Sequence, residues 1–258
     1  EASFMRMPRL GFTSSFLARS IHMDQFIKGV VAICDAAQAR KHSKKQINIS
    51  FDEWNVWYHS HGHDQAYYDS RVWDEAPPLL EDIYDFEDAL LVGSMLITLL
   101  KHADRVKVAC LAQLVNVIAP IMTRPGGGAW CNTIYWPFMH ASLYGRGTAL
   151  TTLVQSPSFA TKEYDEVPML DSVAVQNPDG GVTIFAVNRD EKEDLALSLD
   201  LRAFPGLTPK EHILLHHDDM KAVNTEENPD NVHPTAMPLR GEVFVTSADY
   251  NTTKQITH

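Results

Sequence analysis

Three patterns are missing or scarce in this sequence, and each absence excludes a class of protein. The three cysteines, Cys34, Cys110 and Cys131, are odd in number and widely spaced, which excludes a disulfide framework and zinc-site spacing. Lys and Arg number 22 against 33 Asp and Glu, a net charge of −11, so nucleic acid and anionic membranes are not expected partners. No apolar run approaches the ~20 residues that span a bilayer, and the N-terminus lacks the layout of a secretory signal.

The positions of two of the cysteines indicate a structural role and not a catalytic or metal-binding one. Cys34 lies on an apolar helical face and Cys110 in an apolar strand. We therefore expect both to be small buried residues in a reducing compartment.

The first half of the chain alternates helices with strands. An apolar stripe at three- and four-residue spacing predicts a helix over 24–40, capped by Asp24, and a second over 85–101, capped by Asp85. Strands are predicted at 47–52 and 106–111. Helix, short turn and strand in repetition indicate an α/β fold.

The second half changes to short β runs. They lie at 149–154, 172–176, 182–187, 195–201 and 242–246. The stretch from Asn177 to Gly181 (Asn-Pro-Asp-Gly-Gly) is a hairpin turn signal. This spacing predicts an antiparallel sandwich.

An unusual cluster ends the strand that begins at Ile47. Two acids, Asp52 and Glu53, meet the aromatics Trp54, Trp57 and Tyr58, and in strand–helix barrels the chemistry lies at such strand ends. Carboxylates between flat aromatic faces suit a sugar. Core aromatics beside a solvated strand end are the alternative. Strict strand alternation would place Glu53 on the face of Ile47, Ile49 and Phe51, so a twist or bulge is needed to aim it into a cleft.

The run Ser-Phe-Asp-Glu-Trp-Asn-Val-Trp-Tyr-His-Ser at 50–60 resembles the nucleophile segment of the α-L-arabinofuranosidases of glycoside hydrolase family 51. The resemblance extends over 16–40, 77–123 and 136–224. It implies a retaining glycosidase with Glu53 as catalytic nucleophile, and it carries Gln113 over to a position that hydrogen-bonds arabinose. We group Trp54, Asn55 and Trp57 with Gln113 as expected substrate-binding residues.

The same resemblance implies the architecture and the partners. Residues 1–145 are expected to be the C-terminal part of a (β/α)8 TIM barrel that carries the nucleophile. Residues 146–258 are expected to form an antiparallel, jelly-roll-like β-sandwich. The implied protein is a cytoplasmic homo-oligomer without metal or organic cofactor, which removes terminal α-L-arabinofuranosyl residues from arabinan, arabinoxylan or arabino-oligosaccharides.

A second catalytic carboxyl group is missing from the pattern. In the family it is a glutamate after an asparagine at an earlier strand end, and no such pair precedes Glu53. We therefore expect the first half of the barrel to be absent and the chain alone to have little or no activity. The alternatives are a non-catalytic carbohydrate-binding or interaction module and, more weakly, another glycosidase family on the same barrel.

Several loops are also predicted. His59, His61 and His63 are interpreted as part of a flexible loop at the lip of the cleft, with a metal site as the disfavoured alternative. We interpret 123–128 as a mobile loop over the cleft and 132–144 as a helix broken near Pro137. Residues 1–15 carry no clear pattern, and 249–258 lack the strand that would close the sheet.

Overall fold

A computed structural model of the chain describes residues 13–239. The helices in this range are α1 (Thr13–Leu17), α2 (Ser20–Arg40), α3 (His61–Ser70), α4 (Phe86–Lys101) and α5 (Tyr135–Tyr144). The strands are β1 (Ile49–Trp54), β2 (Val106–Leu111), β3 (Ile121–Thr123), β4 (Ala129–Cys131), β5 (Thr148–Leu150), β6 (Ser158–Phe159), β7 (Val167–Pro168), β8 (Leu170–Gln176), β9 (Val182–Asn188), β10 (Ile213–Leu215) and β11 (Pro234–Ala236). The predictions for 1–12, 242–246 and 249–258 lie outside the described residues.

The first half has the predicted alternation of helices and strands. β1 and β2 pair in parallel, beginning with Ile49 opposite Val106, and α3 and α4 connect them. Helix α2 begins at Ser20 rather than at Asp24. The Asp24 carboxylate does not cap it, because that group instead pairs with Lys28 Nζ at 2.6 Å and His102 Nε2 at 2.7 Å.

Helix α4 joins the two halves of the chain. Asp85 caps it as predicted: Asp85 Oδ1 accepts from the Asp88 backbone N–H, and Asp88 Oδ2 accepts from the Asp85 backbone N–H. This reciprocal pair satisfies two donors at the helix start. The helix is buried on most sides and packs against α1, α2 and α5 as well as β5, β8 and β9.

One hydrophobic core holds the first half together. It draws on both early helices, both parallel strands and α4, and its buried members are Phe16, Leu17, Met23, Ile27, Phe51, Trp54, Val56, Tyr84, Leu91, Val92, Met95, Leu99, Val106 and Ile134. A smaller cluster of Phe86, Ala89, Ala222 and Val232 attaches the start of α4 to the C-terminal segment.

The second half is antiparallel, as predicted. β8 pairs with β5 and β9 in a three-stranded sheet, and β6–β7 and β10–β11 are separate pairs. The 177–181 turn joins β8 to β9, with Gly180 at φ 87°, a conformation that glycine adopts without strain. The predicted strand at 195–201 is wrong: among the described residues this stretch contains no strand.

Two predicted loops are ordered elements instead. The stretch after Tyr58 contains α3, a polar helix without an apolar stripe, so hydrophobic periodicity did not reveal it. The 123–128 loop is the turn of the β3–β4 hairpin. It does not lie free, because Arg124 pairs with Glu226 at 2.9 Å and the Gly128 backbone N–H donates to the same carboxylate at 2.9 Å.

Helix α5 and the cysteines also differ from expectation. Pro137 does not break α5, because it is the third residue of a helix that begins at Tyr135, and the first turn needs no N–H donor there. Cys34 is only half-buried and Cys110 is exposed, since Cys110 lies in the edge strand of a two-stranded sheet whose middle residues are exposed. Between residues 13 and 239, no helix combines the length and apolarity needed to cross a membrane.

Candidate active site

A bulge in β1 sets the position of Glu53. Phe51 lies opposite Ala109 and Trp54 opposite Leu111, so three steps on β1 match two on β2. Phe51 and Trp54 are both buried, and the two acids between them are exposed. The extra residue breaks the alternation, which separates Glu53 from the buried face of Phe51.

Asn55 fastens the end of β1 to the segment after β2. Its Nδ2 donates to the carbonyl oxygens of Ala112 at 2.8 Å and Ile118 at 2.5 Å, and its Oδ1 accepts from the Val56 backbone N–H at 2.8 Å. The residue is 4% exposed. The exposed Gln113 follows Ala112 directly, so Asn55 holds together the two strand ends that carry Glu53 and Gln113.

The two tryptophans of the motif differ in exposure. Trp54 is 1% exposed and belongs to the core. Trp57 is half-buried, its Nε1 donates to Ser60 Oγ at 3.4 Å, and its ring lies edge-on to His61 at 4.8 Å. Of the four residues predicted to bind substrate, Trp54 and Asn55 are buried, Trp57 is half-buried and Gln113 is exposed.

Two acids that we had not assigned to the site, Asp82 and Asp88, lie behind this strand end. Asp82 accepts from the backbone N–H groups of Tyr58, His59 and Ser60 at 3.1, 3.1 and 2.9 Å. Asp88 accepts from Tyr58 Oη at 3.2 Å and pairs with His59 Nε2 at 2.8 Å. The available sequence signal was four acids within the seven residues 82–88, at a helix start.

Burial and charge shift the titration of this group. Burial raises the pKa of Asp88 to about 6, against the opposing hydrogen bond from His59. Burial alone would lower the pKa of His59, but the hydrogen bond to Asp88 and the nearby carboxylates of Asp82 and Asp85 raise it above its ordinary value. Burial, followed by the negative charges of Asp82 and Asp88, raises the pKa of Tyr84.

A lysine from the C-terminal segment reaches the same cluster. Lys221 Nζ donates to Asp85 Oδ2 at 3.1 Å and to the fully buried Glu87. Ligand atoms of His59, Asp85 and Asp88 lie within 4.8 Å of one another. The ammonium beside Asp85 disfavours a cation there. In the described region His61 and His63 do not join such a group.

Comparisons with known proteins agree with these features. The family model for the α-L-arabinofuranosidase C-terminal domain matches residues 52–248. The chain is 58% identical over 212 residues to an intracellular exo-α-(1→5)-L-arabinofuranosidase of Halalkalibacterium halodurans, covering 82% of this chain and 42% of that protein. It is 52% identical over 221 residues to intracellular exo-α-(1→5)-L-arabinofuranosidase 1 of Bacillus subtilis. The match covers 85% of this chain and 43% of that protein.

Solved structures are similar over the same region. A family 51 α-L-arabinofuranosidase from Bifidobacterium longum superposes with a TM-score of 0.80 at 40% identity, covering 89% of this chain and 46% of that one. An α-L-arabinofuranosidase from Thermotoga maritima, solved with arabinose, gives 0.69 at 27% identity, covering 88% and 46%. The chain thus spans less than half the length of these proteins, and the predicted fold class, α/β followed by β-sandwich, is confirmed.

Proposed function

Because this chain belongs to the α-L-arabinofuranosidase C-terminal domain family, we propose that it is the nucleophile-bearing part of a retaining α-L-arabinofuranosidase. The observation that carries the proposal is Glu53, exposed on the bulge of β1. The substrates are terminal α-L-arabinofuranosyl residues of arabinan, arabinoxylan or their oligosaccharides. Two relatives are named intracellular exo-α-(1→5)-L-arabinofuranosidases, which supports an action inside the cell. The homo-oligomer is the part of this proposal that rests on the family resemblance alone.

Glu53 is the nucleophile of this reaction. One carboxylate oxygen forms a bond to the anomeric carbon, and the bond to the leaving oxygen breaks with its electron pair going to that oxygen. Water then releases the sugar from the ester. Trp57 offers a ring face to the sugar and Gln113 an amide, while Trp54 and Asn55 act from behind by fixing the strand end.

The proton for the leaving group comes from a second carboxyl group about 5–5.5 Å from the nucleophile. Glu1 is the sole glutamate before Glu53, and residues 1–52 contain no Asn-Glu pair. Because the chain spans less than half the length of its relatives, the general acid in this proposal belongs to the remainder of the whole enzyme. In this scheme residues 1–145 belong to the barrel and 146–258 to the sandwich, and α4 packs against strands of the second unit.

A substrate that needs no acid tests the nucleophile separately. Dinitrophenolate leaves without protonation, so 2,4-dinitrophenyl α-L-arabinofuranoside should release one equivalent per chain and leave a pentosyl group on Glu53. Mass spectrometry of the digested chain locates it. The 4-nitrophenyl analogue, whose poorer leaving group depends more on an acid, should turn over slowly or not at all.

Matched variants distinguish a catalytic role of Glu53 from a non-catalytic carbohydrate-binding module. Glu53→Gln should abolish the adduct, while Asp52→Asn, altering the other exposed acid of the bulge, should keep it. An adduct on another residue would overturn the assignment. Binding of arabinose without any adduct would support a non-catalytic binding module, and rapid turnover of the 4-nitrophenyl substrate would contradict the missing acid.

A further inference from the structure

Residues 57–60, here called the lip segment, follow the nucleophile strand and carry the half-buried ring of Trp57. We infer that Asp82 and Asp88 are positioning residues that hold the lip segment in place, and that the His59–Asp88 contact makes the position of Trp57 depend on pH. The consequence for sugar binding rests on the proposed function. The positioning itself does not.

The backbone of the lip segment is held by one carboxylate. Asp82 is fully buried and takes three consecutive N–H groups, from Tyr58, His59 and Ser60. Hydrogen bonds to a charged acceptor are roughly twice as strong as neutral ones. Because Ser60 in turn accepts from Trp57 Nε1, the position of the indole follows from the position of this backbone.

Asp88 holds the side chains of the same segment. Its two oxygens contact Tyr58 Oη at 3.2 Å and His59 Nε2 at 2.8 Å, and the rings of Tyr58 and His59 stack at 4.0 Å between centroids. Asp88 is also the third residue of α4, within its capping box. The lip segment is therefore tied to a helix start that cannot shift without breaking its own cap.

The groups around the His59–Asp88 pair come from every element packed against it. They are Tyr58 on the lip segment, Asp82 and Tyr84 before α4, Asp85 at the cap, Glu87 in α4, and Lys221 on the C-terminal segment. Acidic groups outnumber the single lysine. This imbalance favours a protonated imidazole at His59.

Protonation changes the contact in two steps. As pH rises through the raised pKa of His59, the ion pair becomes a neutral-donor hydrogen bond, which is weaker. As pH falls through about 6, Asp88 gains a proton and loses the charge that Tyr58 and His59 contact. Trp57 should therefore change its environment together with His59.

NMR of the indole N–H groups tests this directly. In the ¹⁵N-tryptophan-labelled chain, Trp57→Phe identifies the Trp57 signal, and the pH is varied from about 5 to about 8. We expect the Trp57 signal to shift with the same midpoint as the His59 ring. His59→Gln should lose the step that follows the His59 ring, because an amide can still donate to Asp88 but does not titrate, and should leave only the Asp88 step near pH 6. Asp82→Asn should displace the Trp57 signal at every pH.

Two controls keep the test decisive. His61→Gln removes the histidine of α3 whose ring lies edge-on to Trp57 at 4.8 Å and should leave the Trp57 step that follows the His59 ring in place. The indole of Trp136, fixed to the Val232 carbonyl oxygen at 2.8 Å, should keep its signal in all variants, which verifies folding. A Trp57 signal that never titrates, or that titrates equally in His59→Gln, would overturn the inference. If the titration occurs but L-arabinose leaves Trp57 unaffected, the positioning stands and the sugar site fails.

Discussion

The guanidinium of Arg189 donates from Nη2 to Asp171 Oδ2 at 2.5 Å and to Ser20 Oγ at 2.6 Å. Arg189 follows β9 and Asp171 lies in β8, whereas Ser20 begins α2. Both charged side chains are almost fully buried, and Lys101 at the end of α4 adds a bond to Asp171 Oδ1 at 2.6 Å. The antiparallel half is thus attached to the helices of the first half through one buried ionic group.

Arg189→Met should strongly destabilise the chain. The change leaves Asp171 with one partner in a buried site, and breaking a buried pair costs about 3–5 kcal/mol of unfolding free energy. Arg202→Met is the matched control, because its pair with Asp200 is exposed, and its loss should change the unfolding free energy little. Urea denaturation measures both. Equal losses in the two variants would refute a special role for the buried pair.

Asn55→Ala should lower stability by about 2–3 kcal/mol, because the carbonyl oxygens of Ala112 and Ile118 lose a buried donor. Proteolysis near Gln113 should also accelerate as the strand ends separate. Asn48→Ala, at an exposed position just before β1, should change stability by no more than ~0.5 kcal/mol. If Asn55→Ala left stability unchanged, other contacts would be enough to hold the loop after β2 in place.

Two glycines should respond to alanine in opposite directions. At Gly147, with φ 142°, an added Cβ would lie 2.0 Å from the Gln176 carbonyl oxygen, so Gly147→Ala should cost more than ~2 kcal/mol. At Gly29, inside α2, an added Cβ meets nothing within 4 Å, so Gly29→Ala should stabilise by roughly 0.5–1 kcal/mol. Thermal unfolding monitored by circular dichroism compares them, and a shared sign would contradict the geometry.

Stability should fall as pH rises from about 6 toward 8. The pKa of His59 is raised in the folded chain, so its stabilising contribution is complete below its unfolded pKa and is lost as pH rises through the folded one. The raised pKa of Asp88 acts in the same direction at lower pH. His59→Gln should make this decline shallower, and His63→Gln should not. Urea midpoints across that interval measure it, and parallel curves for all three proteins would count against the His59–Asp88 coupling.

Structural features that depend on residues close together in the sequence were predictable. Asp85 capping α4 and the turn from Asn177 to Gly181 follow from short-range geometry, and the alternation of helices with strands follows from the hydrophobic period. The motif around Glu53 likewise indicated the family. Helix α3 escaped prediction for the complementary reason, since a polar helix has no apolar stripe.

Contacts between distant residues were not predictable. Asp82 and Asp88 reach the lip segment across more than twenty residues, and Arg189 reaches Ser20 across 169. The bulge that exposes Glu53 arises from the way β1 pairs with β2, and the amino-acid sequence of β1 alone does not indicate it. A sequence fixes which groups can cap, turn or attack, because those properties are local. Which surface each side chain faces depends on the tertiary structure, because the burial of apolar side chains and the hydrogen-bond pairing of the strands must be satisfied at the same time.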